Sequence, residues 1–349
     1  MIKNNVFVIF IKKWNIFWRI NEKATIYSIN IRINNDIRKL SPSEFLRLSG
    51  FTNEQIEKIS SVTSMTRMYK EAGNTMVVPV MENIFKNLNI KEGVKVAELF
   101  GGVGASTTAL ENMGLNPNVV EYVEKEKTVT KSYNALHNTN FKASDIVDYA
   151  NDTKKRKIDL LVHGSPCQSN SRLNNSMEKG MAEGSNTKSS LLWESFKSIK
   201  RDMPKIVVWE NVKDATRFKG YQEYLDKMQE LGYTNYAQVL NARNFGVPQN
   251  RERIFVVSRL DGKKFAFPNG SEKANNLTDY LDDNQTKYSF GYHAGDLGKS
   301  RTDDYTGQGG RGTGNFGFAV NNAAPNDGTI EIEDKDNALV ELAGFYEVN

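Results

Sequence analysis

The feature that most constrains the fold is an alternation of short apolar runs with longer helical stretches, which begins near residue 94. The order is β-α-β-α over "VKVAELF", "ASTTALENMG", "PNVVEYVE" and "KTVTKSYNALHN". Three later apolar runs have the length and composition of strands buried on both faces of a parallel sheet, namely "IDLLVHG", "KIVVWE" and "RIFVVS". The sequence therefore predicts an α/β fold with a doubly wound, mostly parallel sheet.

The segments on either side of this series have a different pattern. Residues 41–90 are predicted to be helical, because Ser41 can cap a helix with Pro42 in its first turn, and "VPVMENIFKNL" has helical apolar spacing. The N-terminal "VFVIFI" is too short to span a membrane and precedes two lysines, which favours a strand over a signal peptide. After residue 259 the periodicity fades, and "TGQGGRGTGNFG" indicates loops on a small β-rich unit or partial disorder.

Composition indicates the cellular setting. Cys167 is the only cysteine, so no intramolecular disulfide can form, and we expect a cytoplasmic protein without membrane association. A hydrophobic content of 39% over 349 residues can fill one large domain with a smaller satellite. The 46 basic and 42 acidic side chains give a net charge of +4, which permits a polyanionic partner without requiring one.

A glycine cluster follows the first predicted strand of the series. In "VAELFGGVGAST" the strand ends at Phe100, and Gly102 and Gly104 precede a helix. Glycine lets a backbone approach a ligand closely, and a helix N-terminus offers unpaired N–H groups. Glu124, twenty residues after Gly104, ends the next predicted strand, where a carboxylate can accept both hydrogen bonds of a ribose diol. This pattern indicates a ribose-bearing ligand, although an ordinary βα turn with a surface glutamate is the alternative.

Two further residues distinguish between ligands. A dinucleotide pattern would have a third glycine at position 107, where the chain has Thr107. S-adenosylmethionine, which carries a carboxylate and no phosphate, therefore fits better than a dinucleotide. Asp145, in "ASDIVDY", is expected just after a third strand, where it could accept a hydrogen bond from the adenine amino group. No metal site is predicted.

The candidate catalytic residues follow three other predicted strands. Cys167 lies after "IDLLVHG", at a carboxyl end where open α/β sheets bind ligands, although a lone cysteine is more often a small buried hydrophobe. Glu210 ends "KIVVWE" and brings a carboxyl group to the same edge, unless it serves as a cap or an ion-pair partner. Arg251 and Arg253 alternate at the start of "RERIFVVS", so both side chains point to one side, although paired arginines are usually solvated.

A thiolate, a carboxyl group, arginines and a sulfonium donor together suit methylation of cytosine at carbon 5. That carbon is a weak nucleophile, but addition of a thiolate to carbon 6 makes the ring enamine-like. A carboxyl group that protonates or hydrogen-bonds ring nitrogen 3 stabilises this adduct, which is the role predicted for Glu210. An arginine can orient the base and stabilise developing charge.

These motifs resemble those of the DNA (cytosine-5)-methyltransferase family. The similar segments are "ELFGGVGAS", "GSPCQS", "ENV" and "VPQNRERIFVVS", in the family's order over roughly residues 94–258. The chain departs from the family at Asn170, where Phe is common. The resemblance implies that Gln168 lies on the catalytic loop that binds substrate. It also implies S-adenosylmethionine contacts from Phe100, Gly102, Gly104, Glu124, Asp145 and Pro166.

The order of the remaining family motifs is rearranged. "IRKLSPSEFLRLSGF" and "YKEAGNTMVVPVMENIFKNL" resemble the two motifs that usually end the family's chain, but here they come first. The join between "KNLNIKEG" and "VKVAELF" is short and would leave the fold unchanged, so the sequence is interpreted as a circular permutation. By resemblance, Asn74 completes the cofactor pocket, and Arg38 and Lys39 lie near the junction with a target-recognition unit.

The predicted domains follow from this order. Residues 1–36 form an N-terminal strand or extension that could belong to the target-recognition unit. Residues 37–258 form the catalytic domain, with 37–90 as its permuted closing segment, and residues 259–349 form a small target-recognition unit. There Arg311 could contact a base or a phosphate. A flexible linker or the remnant of a truncated domain are the alternatives for this tail.

The resemblance implies a DNA (cytosine-5)-methyltransferase of the restriction-modification or phage type. Double-stranded DNA is the expected partner, S-adenosylmethionine the cofactor, and a monomer the expected state, with a cognate restriction endonuclease as a further candidate partner. A tRNA cytosine-5 methyltransferase and a catalytically inactive DNA-binding homologue are the rival functions. An NAD-dependent oxidoreductase fits less well, because it leaves Cys167 and Glu210 unexplained.

Overall fold

The structure is a computed structural model that describes residues 6–9, 30–33, 36–166, 188–270, 273–282 and 289–293. Cys167, Gln168, Asn170 and Arg311, together with the Gly-rich stretch around Arg311, lie outside the described residues, so the expectations about them remain predictions. Within the described part of the chain, no helix is long and apolar enough to cross a membrane.

The described chain starts with strands and continues into a group of helices. The strands are β1 (Val6–Ile9), β2 (Asn30–Ile33) and β3 (Asp36–Lys39). The helices are α1 (Pro42–Leu48), α2 (Asn53–Ser60), α3 (Met65–Asn74) and α4 (Val78–Leu88). The predicted start of α1 is confirmed, because the Ser41 hydroxyl accepts from the Glu44 amide at 3.1 Å and the Glu44 carboxylate accepts from the Ser41 amide at 2.6 Å.

The central sheet is formed, among the described residues, by six strands in the order β5-β4-β6-β7-β9-β8. They are β4 (Lys95–Leu99), β5 (Asn118–Val123), β6 (Leu160–His163), β7 (Ile206–Val212), β8 (Thr234–Asn241) and β9 (Glu252–Arg259). The helices between them are α5 (Ala105–Asn112), α6 (Lys127–His137), α7 (Ile146–Asn151), α8 (Leu192–Asp202) and α9 (Lys219–Glu230).

Two apolar layers cover the two faces of this sheet, which is the doubly wound arrangement that the sequence predicts. Successive strand residues alternate between them, so Leu160 and Val162 of β6 pack in one layer and Leu161 in the other. The first layer includes apolar residues of α1 to α6, and the second includes those of α7, α8 and α9. A sheet buried on both faces explains why its strands are nearly continuous apolar runs.

The expectation of a parallel strand at "RIFVVS" is wrong. Strands β4, β5, β6 and β7 are parallel, but β9 is antiparallel to both β7 and β8. Residues 242–251 connect β8 to β9 and contain a short 3-10 turn, Ala242–Asn244, and isolated bridge residues at Phe245 and Gln249, but no helix long enough for a crossover. A parallel connection needs a crossover of about a dozen residues or more, so this link returns the chain antiparallel.

The third strand expected before Asp145 is also absent, since residues 139–145 form no ladder. The side chain of Asn134 occupies both backbone groups of Phe141, donating to its carbonyl and accepting from its amide at 2.9 Å each. One backbone hydrogen bond connects this segment to the residue after β5, from the Ser144 amide to the Glu124 carbonyl. A side-chain amide has therefore replaced the strand pairing here.

A second sheet joins the two ends of the described chain. Its order is β1-β2-β3-β10, where β10 is Ser289–His293, and each neighbouring pair is antiparallel. The strand predicted from "VFVIFI" corresponds to β1. A strand from the predicted 259–349 unit thus pairs with β3, at Ser289 with Arg38 and at His293 with Asp36.

Candidate active site

The main cavity lies at the switch point of the sheet. From β4 the chain moves to β5 on one side and later returns to β6 on the other, which leaves a crevice at the carboxyl ends of β4 and β6. An open cavity lies there, with about 410 Å³ of empty space that includes solvent at its mouth. Its described lining is Asn74, Thr75, Met76, Glu98, Leu99, Phe100, Gly101, Gly102, Ala105, Ser106, Val162, Gly164 and Glu210.

The glycine turn above β4 borders this cavity with its backbone. Phe100 and Gly102 have positive φ angles of 54° and 56°, and no atom lies within 4 Å of where a Cβ on Gly102 would be. Gly104, at φ 86°, is the N-cap of α5, and a Cβ there would collide with the His137 ring and lie 2.6 Å from the Tyr133 ring. Gly104 is therefore required for packing, whereas Gly102 leaves space for a ligand.

Thr107, which stands where a dinucleotide-binding turn would have glycine, has a structural task of its own. Its hydroxyl donates to the Glu98 carboxylate at 2.7 Å, and its amide donates to the same group at 3.2 Å. The Thr107 and Tyr133 hydroxyls are 3.0 Å apart. Burial raises the pKa of the Glu98 carboxyl above its ordinary value. Sequence reasoning missed Glu98, although a carboxyl inside a buried strand next to glycines is a detectable signal.

Glu124, which directly follows β5, accepts a hydrogen bond from the glycine turn. Its carboxylate accepts from the Gly102 amide at 3.4 Å and from the Glu126 amide at 2.9 Å. Burial raises the pKa of Glu124 above its ordinary value, with the amide of Glu126 opposing that shift. Glu124 does not line the cavity but lies one hydrogen bond behind Gly102.

Asp145 is the N-cap of α7 and accepts from the Val147 amide at 3.0 Å. It also pairs with the Lys125 ammonium at 2.6 Å, and this hydrogen bond lowers the pKa of Asp145 below its ordinary value. Asp145 is therefore held as an anion near Glu124, but it is not among the residues that line the cavity.

The loop after β6 is anchored by two neighbours on β7. The indole of Trp209 donates to the Ser165 hydroxyl at 3.1 Å, and the Asn211 amide donates to the Ser165 carbonyl at 3.2 Å. Ser165 is buried and Pro166 is half-buried. The backbone two residues before Cys167 is therefore fixed to the strand that carries Glu210.

A second open cavity lies beside Glu210, with about 220 Å³ of empty space that includes solvent at its mouth. Glu210 lies inside β7 rather than at its end, because the strand extends to Val212. The Arg253 Nε is 3.1 Å from the Glu210 carboxylate, and both side chains are largely buried. The described lining is Val77, Val80, Glu210, Leu240, Ala242, Arg251, Arg253 and Phe255.

The two arginines border the same cavity but have different partners. Arg251 is buried and donates to the carbonyls of Gly73 at 3.2 Å and Thr75 at 3.0 Å. These carbonyls flank Asn74, which ends α3 and lines the main cavity. Arg251 therefore connects β9 to the helical segment, whereas Arg253 is the charge partner of Glu210.

The structure brings Asn74, Phe100, Gly102 and Glu210 to one cavity and Arg251 and Arg253 to the other, with Glu210 shared. Glu124 is one hydrogen bond away from the first cavity. This doubly wound sheet, with its glycine turn at the switch point, is the fold of the S-adenosylmethionine-dependent methyltransferases. Within that class, the chain belongs to the C-5 cytosine-specific DNA methylase family, whose profile matches residues 9–89 and 94–317.

Curated relatives carry methyltransferase names. The chain is 30% identical over 247 residues to Type II methyltransferase M2.ScrFI of Lactococcus lactis subsp. cremoris, covering 55% of this chain and 68% of that one. It is 28% identical over 263 residues to Orphan methyltransferase M.SssI of Spiroplasma monobiae, covering 72% and 67%. It is 35% identical over 169 residues to Orphan methyltransferase M.SPRI of Bacillus phage SPR, covering 47% and only 37%.

Solved structures are similar at a lower level. The S. pombe Dnmt2 methyltransferase is 20% identical with a TM-score of 0.42, over 50% of this chain and 51% of that one. The Entamoeba histolytica methyltransferase EhMeth is 19% identical with a TM-score of 0.41, over 56% and 61%.

Proposed function

We propose that this protein transfers a methyl group from S-adenosylmethionine to carbon 5 of cytosine in double-stranded DNA at a short recognition sequence. The observation that carries the proposal is the position of Glu210, which borders both cavities. It lies on the strand next to β6, and the chain leaving β6 leads within four residues to Cys167. Membership of the C-5 cytosine-specific DNA methylase family supports the same chemistry.

The main cavity fits S-adenosylmethionine in its donor set. Backbone borders the open space at Gly102, and the described lining contains no Lys, Arg or His, so it suits S-adenosylmethionine better than a ligand with a phosphate. We infer that the turn from Phe100 to Gly104, with Asn74, holds the cofactor, and that Glu124, Asp145 and Pro166 contribute from behind and beside it. The bound cofactor supplies an electrophilic methyl group.

The protein's own residues are proposed to do the remaining chemistry on a cytosine extruded from the duplex. The Cys167 thiolate adds to carbon 6, and the ring electrons move toward nitrogen 3, where the Glu210 carboxyl donates a proton or a hydrogen bond. Carbon 5 thereby gains the electron density that it needs to form its bond to the methyl group. Water then takes the proton from carbon 5, and the electrons of that bond expel the Cys167 thiolate from carbon 6. The proton at nitrogen 3 returns to Glu210, which restores the aromatic ring.

The cations beside Glu210 are assigned separate tasks in this reaction. Arg253, 3.1 Å from Glu210, orients that carboxyl and stabilises charge that develops on the base. Arg251 keeps the segment around Asn74 against the sheet through its bonds to two carbonyls. Gln168, next to the nucleophile, is proposed to contact the substrate.

The rearranged motif order is proposed to be a circular permutation within a catalytic domain of residues 37–258. Two observations support it. The short segment of residues 89–94 joins α4 to β4, and the helical segment is held to the far end of the sheet by Arg251. We assign target recognition to residues 259–349 together with the N-terminal strands, with Arg311 as a DNA contact; the pairing of β3 with β10 supports this grouping.

Relatives named type II and orphan methyltransferases point to a restriction-modification or phage role. A cognate endonuclease partner would accompany the first kind, and the orphan names fit an enzyme that acts alone. A soluble, monomeric enzyme in the cytoplasm is proposed for either case.

The deciding experiment measures methyl transfer from labelled S-adenosylmethionine to duplex DNA and to tRNA, with the intact chain and with Cys167→Ser. We expect label at carbon 5 of cytosines in one short DNA sequence, and none with Cys167→Ser. Label on tRNA alone would replace the proposed substrate. Cofactor binding without transfer to either substrate would indicate a catalytically inactive homologue.

A further inference from the structure

The chain passes between its two sheets at two neighbouring points. Leu40 directly follows β3, and Asp282 is the last described residue before β10. Since β3 and β10 are paired strands of one sheet, both connections leave the body that contains the central sheet side by side. The hydroxyl of Ser41 donates to the Asp282 carboxylate at 2.9 Å, which joins the two connections directly.

Asp282 is bound to α1 by its side chain and its backbone. We call Ser41, Glu44, Arg47 and Asp282 the neck clamp. Besides Ser41, the Arg47 guanidinium donates to the Asp282 carboxylate at 2.5 Å, and the Asp282 amide donates to the Glu44 carboxylate at 2.7 Å. Arg47 also donates to the carbonyl of Tyr280 at 2.9 Å.

The other connection is fixed beside it. Leu40 is fully buried, and its carbonyl accepts from the Tyr69 hydroxyl at 2.6 Å. Glu44 is fully buried as well. One of its carboxylate oxygens accepts from the Ser41 amide, and the other accepts from the Asp282 amide. A buried carboxylate that bonds backbone amides of both connections keeps them in one register, because charge-assisted hydrogen bonds are stronger than neutral ones.

We propose that the neck clamp fixes the position of the sheet β1-β2-β3-β10 relative to the central sheet, so that Asp282 and Arg47 determine productive DNA engagement without taking part in the chemistry. This inference rests on the proposed DNA methyltransferase function. The clamp residues do not line either described cavity, so their loss leaves the Glu210 site intact. Without the clamp, the two connections to the predicted recognition unit are no longer joined, so this unit can shift relative to the active site. Even a small shift of a substrate-binding unit can weaken productive binding of the substrate.

The test compares Asp282→Asn with a matched control, Asp261→Asn. Asp261 also pairs with an arginine, Arg259, at 2.6 Å, and its side chain is 22% exposed against 25% for Asp282. It lies in the turn after β9 and not at the neck. The measurements are KM for duplex DNA, kcat, and the dissociation constant for S-adenosylmethionine by calorimetry.

For Asp282→Asn we expect KM for DNA to rise about tenfold, with kcat and cofactor affinity within about twofold of the unmodified protein. Asp282→Glu, which restores a carboxylate, should recover part of the loss. Asp261→Asn should leave KM for DNA unchanged. Arg47→Lys provides a second disruption of the clamp and should raise KM in the same way, even if Asp282→Asn folds poorly.

Equal KM values for the Asp282→Asn, Arg47→Lys and Asp261→Asn proteins would overturn the proposal. So would a parallel loss of kcat and cofactor affinity, which would mean that the clamp supports the whole fold. If the unmodified protein transfers no methyl group to DNA, the proposed function fails and the inference falls with it. An active unmodified protein with an unaffected Asp282→Asn variant refutes the clamp alone.

Discussion

The two cavities that meet at Glu210 are built from different groups. The main cavity includes the backbone of the glycine turn, and its described lining contains small residues such as Gly101, Gly102, Ala105 and Gly164 but no cation. The second cavity combines the charged groups of Glu210, Arg251 and Arg253 with apolar side chains. Backbone recognises a ligand by shape and tolerates no added volume, whereas a charged pocket depends on keeping its charges paired. The first cavity should therefore be sensitive to added methyl groups, and the second to loss of charge.

The largest expected effect tests the charged cavity. Glu210→Gln keeps the size of the side chain but removes the proton donor and the ion pair with Arg253. We expect kcat for DNA methylation to fall by about 10²- to 10⁴-fold, with the dissociation constant for S-adenosylmethionine little changed. Single-turnover methylation and calorimetry measure the two quantities.

Glu252→Gln is the matched control for this change. Glu252 is also a glutamate in an ion pair, with Lys213 at 2.9 Å, but it lies at the exposed start of β9. Its substitution should leave kcat unchanged. If Glu210→Gln weakened cofactor binding as strongly as it lowered kcat, the separation between the two cavities would be wrong.

A smaller effect is expected from added volume at the glycine turn. Gly104→Ala places a Cβ 2.6 Å from the Tyr133 ring, so the turn must shift. We expect cofactor affinity to fall about tenfold and stability by about 1–3 kcal/mol. Gly93→Ala separates the causes, because Gly93 also has positive φ, 68°, but no atom lies within 4 Å of its Cβ position.

Gly93→Ala should therefore reduce thermal stability through backbone strain alone and leave cofactor affinity intact. Equal affinity losses in the two variants would show that backbone strain, and not contact with the His137 and Tyr133 rings, determines the effect. Unchanged affinity in Gly104→Ala would contradict the idea that a shift of the glycine turn changes the main cavity.

The parts of this site that the sequence could predict are those that local patterns determine. Apolar runs located the strands, and the cap at Ser41 located α1, because both depend on residues adjacent in sequence. The cavity lining at Phe100 and Gly102 followed from strand-turn-helix order in the same way. The carboxyl group of Glu210 was expected at this edge because parallel strands present their carboxyl ends together.

The missed features depend on contacts between distant residues. Nothing near Arg251 in the sequence indicates that its guanidinium bonds carbonyls of residues 73 and 75. Likewise, Asn134 satisfies the backbone of Phe141 and so prevents the third strand. In the sequence, Thr107 served only as an argument against a dinucleotide ligand. Its hydrogen bond to Glu98 becomes evident only when β4 and α5 are packed together. Long-range partner choice is set by tertiary packing, which single-sequence patterns do not encode.

The smallest expected effect tests whether helix α3, which ends at the main cavity, is also sensitive to charge. Glu71, on α3, is only 4% exposed, and its carboxylate accepts from the Ser132 hydroxyl at 3.1 Å. Burial raises its pKa from 4.5 to about 7, with a smaller contribution from the nearby Glu124. The folded state therefore binds more protons than the unfolded chain between these values, and stability falls as the pH rises through this range and levels off above it.

From this group alone, the free energy of unfolding should fall by about 1 kcal/mol between about pH 6 and pH 8. Glu71→Gln cannot ionise, so its urea unfolding curves at the two pH values should differ by about that much less than those of the unmodified protein. Glu57→Gln, at an exposed glutamate on α2, serves as the control and should keep the full pH dependence. Were the Glu71→Gln protein to retain it as well, Glu71 would already be ionised at pH 6. Helix α3 beside the main cavity would then tolerate a buried carboxylate. The two cavities would in that case differ less in their sensitivity to charge than the burial of Glu71 indicates.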